Sequence, residues 1–506
     1  MSHPSSYLAI DLGAESGRAT LGTLDGGRLR LAEVHRFPNT PVRTLDGLHW
    51  DVLRLWADIQ EGIARAARAC PSGIASLGVD TWGVDFALLD AQGALIGNPY
   101  HYRDGRTRDM PGEAFRRVPR ERIFELTGIQ FMPINTLYQL LAMVRSGSAA
   151  LRAASRLLMI PDLFNYWLTG QQTGEFTNVT TSQCYDPRRG AWAGALLAEL
   201  GIPGHIFPTV IAPGTALGEL LPEVAEETGA GPVRVIAPAC HDTGSAVVAV
   251  PAGGRGFAWL SSGTWSIMGT EREAPVIDGR SLAYDFTNEG GVGGTYRLSK
   301  NIAGLWLVQE CRRAWARAGG EVAYEQLARL AAEAPAFACL IDPDRAEFGQ
   351  PGDMPHRIQA YCRSTGQPAP ESQGAIVRCI LESLALKYRW TLGRLEELAG
   401  GRLEPLHIVG GGSQNTLLNQ FAADATGRRV LAGPAEATSI GNLLVQAVAL
   451  GDVPSLAEGR RLVRESFAVA AYEPSGGAAW GAAYERFCSL LARAEAATSA
   501  GPKAQR

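Results

Sequence analysis

The chain has 506 residues, of which 46% are hydrophobic and 19% charged; at about 100–200 residues per domain this makes two large or three ordinary packed domains and excludes bulk disorder. Lys and Arg number 47 against 51 Asp and Glu, a net charge of −4, and charge so scattered offers no basic face for nucleic acid. No apolar run approaches a membrane span, and Met1 to Ile10 lacks the basic and apolar regions of a signal peptide, so a cytoplasmic protein without nucleic-acid or membrane partners is expected.

The chain opens as strand, turn, strand: Tyr7 to Leu12, the turn Gly13-Ala-Glu-Ser-Gly17, then Arg18 to Leu24. Asp25-Gly26-Gly27 is a hairpin signal, and Arg28 to Val34 alternates as a third strand. Val52, Trp56, Ile59, Ile63 and Ala67 fall at helical spacing. Strands follow at Ala75 to Val79 and Val84 to Leu89, and helices are predicted from about Asn135 to Leu168. Half a chain later the opening returns: strand Phe257 to Leu260, polar turn Ser261 to Thr264, strand Trp265 to Met268. That recurrence fits either a duplicated domain or two unrelated hairpins. Helices are predicted over Ala303 to Ala318 and from Glu371 to about Ala399. Strand Leu406 to Val409 ends in Gly410-Gly-Gly412, then a helix runs to Thr426, a strand spans Arg429 to Ala432 and a helix spans Thr438 to Leu450. Strands alternating with helices make this an α/β fold, with a tail, Ala497 to Arg506, expected to fray.

The eight cysteines contain no Cys-x-x-Cys pair and no zinc-finger spacing. In a reducing compartment they are expected as free, mostly buried thiols. Cys362 and Cys379, flanking a loop with two prolines, are the pair in which a bridge is conceivable.

Several segments carry candidate chemistry. The Gly13 to Gly17 turn offers backbone N–H groups for phosphate oxygens, with Ser16 and Arg18 beside it and Asp11 at the strand end able to hold Mg²⁺; a solvated glycine hairpin is the alternative. Neither a P-loop nor a dinucleotide glycine fingerprint is present. Ser261 to Thr264 and Gly410 to Gly412 are further phosphate-loop or nucleotide candidates, the glycines because no Cβ bars a ligand. In Cys240-His-Asp-Thr-Gly-Ser245, Asp242 reads either as a general base or as a helix N-cap. In Asp80-Thr-Trp-Gly-Val-Asp-Phe86, Trp82 and the acids suit a carbohydrate pocket, with a buried aromatic as the alternative and an Asp80/Asp85 glycosidase pair as a minor one.

Asp11 to Arg18, Asp80 to Phe86, His241 to Thr243, Ser261 to Trp265, Lys300-Asn-Ile302 and His407 to Gly412 occur in an order and at separations that resemble the FGGY carbohydrate kinase family, from about Tyr7 to Ala479. The resemblance implies two actin-like, ribonuclease-H-like α/β domains around a central cleft that closes on its substrates. It puts a sugar-binding domain at residues 1–244 and a nucleotide-binding domain at 245–506. It implies ATP and Mg²⁺ as cofactors and a small-molecule sugar as partner. The γ-phosphoryl group would pass to the 1-hydroxyl of L-rhamnulose, in L-rhamnose catabolism. Another ketose such as L-fuculose, or an actin-like ATPase without a sugar, are the alternatives. Residue by residue, Ala14, Glu15, Ser16, Gly17 and Arg18 resemble the first phosphate loop and Thr264 the second. Gln309 and Gly411 resemble nucleotide contacts, and Gly83, His241, Asp242, Thr243 and Asn301 sugar contacts. Asp242 resembles the catalytic base, and Asp11 and Asp242 the Mg²⁺ ligands. Position 15 departs from the family's small polar residue; a carboxylate repels a triphosphate, so Glu15 is expected to point away. A monomer or small homo-oligomer is compatible with all of this.

Overall fold

The computed structural model describes residues 4–320 and 322–499. The last helix runs Gly477–Ser499, and the rest of the tail expected to fray lies outside the described residues, as do the first three residues. Two compact units form, each from several segments. The first comprises Met1–Arg255, Glu271–Ser299 and Glu436–Phe467, and the second Gly256–Thr270, Lys300–Ala435 and Ala468–Arg506. Among the described residues no helix is long and apolar enough to cross a membrane.

The first unit is built on a six-stranded sheet, in the order Ala216–Glu219, Arg234–Ile236, Ser76–Thr81, Ser5–Leu12, Ser16–Asp25, Arg28–Pro38. Ser5–Leu12 is buried along nearly its whole length, so its apolar run is continuous rather than alternating. Helix Val52–Ala69 turns Leu55, Ile59 and Ile63 into a core shared with Ile10, Leu77 and Val79. Helix Ala437–Ala449 is tied to the sheet by polar groups: Gln446 Nε2 donates to Leu8 O at 3.0 Å and Asn442 Nδ2 to Gly78 O at 3.1 Å. A separate core gathers around Phe86–Leu89 and its antiparallel partner Arg156–Met159. That second strand lies inside a stretch predicted as helical; three apolar residues in a four-residue strand are too few for periodicity to separate strand from helix.

The second unit repeats the arrangement. Ala258–Ser262 pairs antiparallel with Trp265–Arg272 and parallel with Leu406–Val409, as Ser5–Leu12 pairs with Ser16–Asp25 and Ser76–Thr81. Val430–Ala432 and Ala470–Tyr472 continue the sheet outward. The repeated hairpin-plus-parallel-strand topology supports the duplicated-domain reading over two chance hairpins. Helix Trp306–Arg317 starts later than predicted because Ala303 still belongs to strand Tyr296–Ala303. All eight cysteines are free thiols, seven of them buried.

Candidate active site

Sheet register assembles the first group. Across the hairpin Asp11 pairs with Arg18, and on its other side Asp11 pairs with Asp80 of the parallel strand. Arg18 donates to Asp11 Oδ2 from Nε at 2.9 Å, with Nη2 at 2.8 Å, and Ser439 Oγ donates to the same oxygen at 3.2 Å. Arg18 Nη1 also meets Glu436 Oε2 at 2.5 Å. The positive charge expected to face phosphate is therefore held between two carboxylates. Glu15 is exposed.

Asp80 is fully buried, accepts from Asn442 Nδ2 at 2.6 Å on Oδ2, and has no partner for Oδ1. Burial pushes its carboxyl well above the usual range, and the charges of Asp11 and Asp242 push it further. Asp242 is raised too, chiefly by burial, with Asp11 adding to the shift and His241 opposing it. Asp11 and Asp80 at the ends of two central strands, with Asp242 just past the bridge from Thr81 to His241, give three carboxylates, two of them raised and one buried oxygen unpartnered, an oxygen donor set that suits a hard divalent cation such as Mg²⁺.

Asp242 is positioned by a lattice of backbone contacts. Thr81 bridges His241, and Thr81 N donates to Cys240 O at 2.9 Å. The buried Glu175 accepts from Cys240 N at 3.0 Å, and Thr177 Oγ1 accepts from His241 N at 3.1 Å. Helix Asp242–Val248 then begins, with His241 in the extended conformation at its N-cap. Asp242 Oδ1 accepts from the backbone N and the hydroxyl of the next residue, Thr243. A capping side chain would instead reach the amide two or three residues on, so Asp242 is not the N-cap. Its side chain keeps 28% exposure, which leaves a raised carboxylate able to meet a substrate.

His241 carries a relation that the sequence did not reveal. Arg297 Nη2 lies 3.0 Å from His241 Nδ1 and 3.2 Å from Glu289 Oε2, and Glu289 Oε2 lies 3.3 Å from that same Nδ1. Arg297 is fully buried, and its Nη1 has no partner. A guanidinium is always protonated, so it donates and His241 Nδ1 accepts. The imidazole proton then sits on Nε2, 3.5 Å from Asp242 Oδ1. Glu289 and Arg297 follow His241 by about 50 residues, and no local pattern links them.

Gly83 stands where a Cβ would lie 2.9 Å from Thr181 Oγ1. Val84 next to it has φ of 69°, a left-handed backbone that a β-branched residue adopts only under constraint. Val84 N donates to Thr181 Oγ1 at 2.9 Å, and Val84 O accepts from Thr136 Oγ1 at 2.6 Å. Asp85 accepts from Trp50 Nε1 at 2.6 Å, Trp82 Nε1 at 3.0 Å and Gln139 Nε2 at 2.7 Å. So enclosed a carboxylate cannot serve as half of a glycosidase pair. Trp82 is only 5% exposed and packs on Trp50 with ring centroids 4.0 Å apart, which makes it a buried wall rather than a sugar platform.

The second unit carries the remaining candidates. The Ser261 to Thr264 turn docks on the start of helix Trp306–Arg317: Leu305 N donates to Gly263 O at 2.9 Å and Trp306 N to Thr264 O at 3.2 Å. Gly304 permits this approach, since a Cβ there would lie 2.5 Å from Trp265 backbone carbon. Gln309 Nε2 reaches Thr264 Oγ1 at 3.5 Å, and its Oε1 is buried without a partner. Of the three glycines, Gly410 needs its φ of 84° and Gly412 would put a Cβ 2.1 Å from Ser262 Oγ, whereas a Cβ on Gly411 meets nothing within 4 Å. Gly411 is exposed, and Asn301 is half-buried on strand Tyr296–Ala303.

Comparison with known proteins accords with this geometry. Residues 6–249 match the N-terminal domain and residues 258–450 the C-terminal domain of the FGGY family of carbohydrate kinases. A rhamnulokinase of Bacteroides thetaiotaomicron is 46% identical over 482 residues, covering 95% of this chain and 98% of that protein. A rhamnulokinase of Pectobacterium carotovorum is 43% identical, covering 96% of each chain. In fold, the chain is similar to a xylulose kinase from Lactobacillus acidophilus, with a TM-score of 0.79 at 16% identity over 98% of this chain and 99% of that one.

Proposed function

The chain belongs to the FGGY family of carbohydrate kinases, and from that premise we propose that it transfers the γ-phosphoryl group of ATP to the 1-hydroxyl of L-rhamnulose, giving L-rhamnulose 1-phosphate and ADP. The choice of ketose is supported by the rhamnulokinases that align with it at 46% and 43% identity. The observation that carries the chemistry is Asp242: a raised, partly exposed carboxylate beside His241, whose charge interacts with those of Asp11 and Asp80 at the ends of central strands. We assign most of the sugar binding to residues 1–244 and most of the nucleotide binding to residues 245–506.

Phosphoryl transfer passes through a loose transition state, so the protein mainly positions the reactants and balances charge. Asp242 accepts the proton of the 1-hydroxyl as the oxygen attacks, and burial, which raises its carboxyl above the usual carboxylate range, makes it a better proton acceptor. His241, with Nδ1 occupied by Arg297, presents its Nε2 proton to a sugar oxygen. Gly83, Thr243 and Asn301 complete the sugar contacts. The backbone of the Ala14 to Gly17 turn, with the Glu15 carboxylate turned away, and Arg18 and Thr264 face the phosphates, with Gln309 and the bare Gly411 at the nucleotide. Asp11 and Asp242 would hold Mg²⁺, whose charge would offset that of the phosphates. A site that hydrogen-bonds each hydroxyl rejects a wrong epimer by leaving buried groups unpaired, about 1–3 kcal/mol for each one.

The test is sugar-dependent ADP release measured over a panel of ketoses. L-Rhamnulose should give the highest kcat/KM. A higher value with L-fuculose or D-xylulose would move the assignment to that sugar, and ATP hydrolysis indifferent to sugar would replace it with an actin-like ATPase.

A further inference from the structure

Three thiols meet in the second unit, among them Cys362 and Cys379, which are not bridged. The sulfur atoms of Cys339, Cys362 and Cys379 all lie within 4.8 Å of one another. The residues are 3%, 0% and 2% exposed. They come from three elements: Cys362 from helix Met354–Ser364, Cys379 from helix Gln373–Ala399, and Cys339 from the connection that precedes both.

That connection is clamped onto both helices. Phe337 N donates to Glu382 Oε2 at 2.8 Å and Ile341 N to Ser383 Oγ at 2.9 Å. Leu340 exchanges two bonds of 2.8 Å with the Gln367 side chain that follows helix Met354–Ser364. Cys339 is thus fixed between bonds that hold its neighbours, and bringing the sulfurs together needs no loop rearrangement.

We propose that Cys339, Cys362 and Cys379 form a three-thiolate site for a thiophilic monovalent cation of the copper(I) class. All-sulfur ligation selects soft ions. Structural zinc is almost always held by four protein ligands, and among the described residues no fourth His, Cys, Asp or Glu joins the cluster. Three sulfurs fit a trigonal ion, and metal–sulfur bonds of about 2.3 Å set sulfurs about 4 Å apart in that geometry. Binding would release the thiol protons to solvent as three metal–sulfur bonds form. The oxidation state of the ion does not change.

The reduced, metal-free protein is titrated anaerobically with copper(I) as its acetonitrile complex against a chromophoric chelator. One equivalent should be withheld from the chelator, with a thiolate-to-copper charge-transfer band and a raised thermal midpoint. Loss of even an outer-shell partner weakens metal sites about 10- to 100-fold, so losing a ligand in Cys339→Ser should weaken retention by more than about 100-fold. Cys488→Ser should retain copper(I) like the parent, and both variants are checked for folding by sugar-dependent turnover. Equal retention by Cys339→Ser would overturn the site. So would zinc held as tightly as copper(I), or a Cys362–Cys379 disulfide that persists in the reductant.

Discussion

Arg297 Nη2 stands 3.0 Å from His241 Nδ1, and both groups also face Glu289 Oε2. A guanidinium can only donate, so where Arg297 bonds Nδ1 that nitrogen accepts and the ring N–H lies on Nε2. A residue with no expected contact to substrate thereby decides what the neighbour of Asp242 offers to a sugar.

Arg297→Met should separate this positioning role from a stability role. Alone it strands a buried carboxylate, and breaking a buried ion pair in this way costs about 3–5 kcal/mol, measured by urea unfolding. Arg297→Met with Glu289→Leu removes both charges and should recover most of that loss. KM for sugar should remain raised in the double variant while KM for ATP is unchanged, and the imidazole nitrogen shifts of His241 should no longer report a single Nε2–H tautomer. A double variant with parental sugar KM and the parental tautomer would reduce Arg297 to structure alone.

Gly411 and Gly412 should part company. A Cβ at Gly412 would lie 2.1 Å from Ser262 Oγ, whereas one at Gly411 meets nothing within 4 Å. Gly412→Ala should lose about 1–3 kcal/mol of stability, as overpacked sites do. Gly411→Val should unfold like the parent yet bind ATP about tenfold or more weakly, a difference of about 1.4 kcal/mol. Equal ATP affinity by calorimetry would take Gly411 out of the nucleotide site.

His101 gives a pH signature. It is 5% exposed, stacks on Trp50 at 4.1 Å and accepts from Arg103 N at 2.9 Å through Nδ1. Burial, with the charge of Arg103 adding to it, pulls its pKa down to about 3. The unfolded chain therefore takes up the proton first, below about pH 6.5. The stabilisation is present above that pH and is lost as pH falls towards 3. Between pH 7 and 5 the parent should lose about 2 kcal/mol more than His101→Gln, read from urea midpoints at each pH. Parallel curves for the two proteins would show that His101 titrates normally in the fold.

Several features were legible in the residues because they are local. The apolar stretch Tyr7 to Ile10 and the glycine turn after it announced the first hairpin, and Phe257 to Met268 showed a second one, which the sequence alone did not separate from chance. The six-stranded order was not legible, because the pairing of Ser76–Thr81 with Ser5–Leu12 and Arg234–Ile236 depends on distant register. Asp11 and Asp80 were each visible, but their adjacency follows from parallel pairing of strands some 70 residues apart. Glu289, Arg297 and Thr181 were missed because no spacing rule joins them to His241 or Gly83. Trp82 and Asp85 carried a carbohydrate signal, yet each is consumed by burial and by the other's hydrogen bond. The three thiols come from connections and helices whose convergence only the packed unit creates.

Sugar-dependent turnover and thermal midpoint of Asp242→Asn, measured together, test the proposed chemistry most directly. Asn keeps the size of the side chain and an oxygen for the Thr243 donors, so the thermal midpoint should stay near the parent's. It cannot take the hydroxyl proton, and general-base catalysis is worth about 10² to 10⁴ in rate. The predicted result is a parent-like midpoint with kcat on L-rhamnulose lowered by about that factor and KM little changed. A variant equally stable that keeps most of its turnover would contradict the assignment of Asp242 as the base, and with it the proposed mechanism.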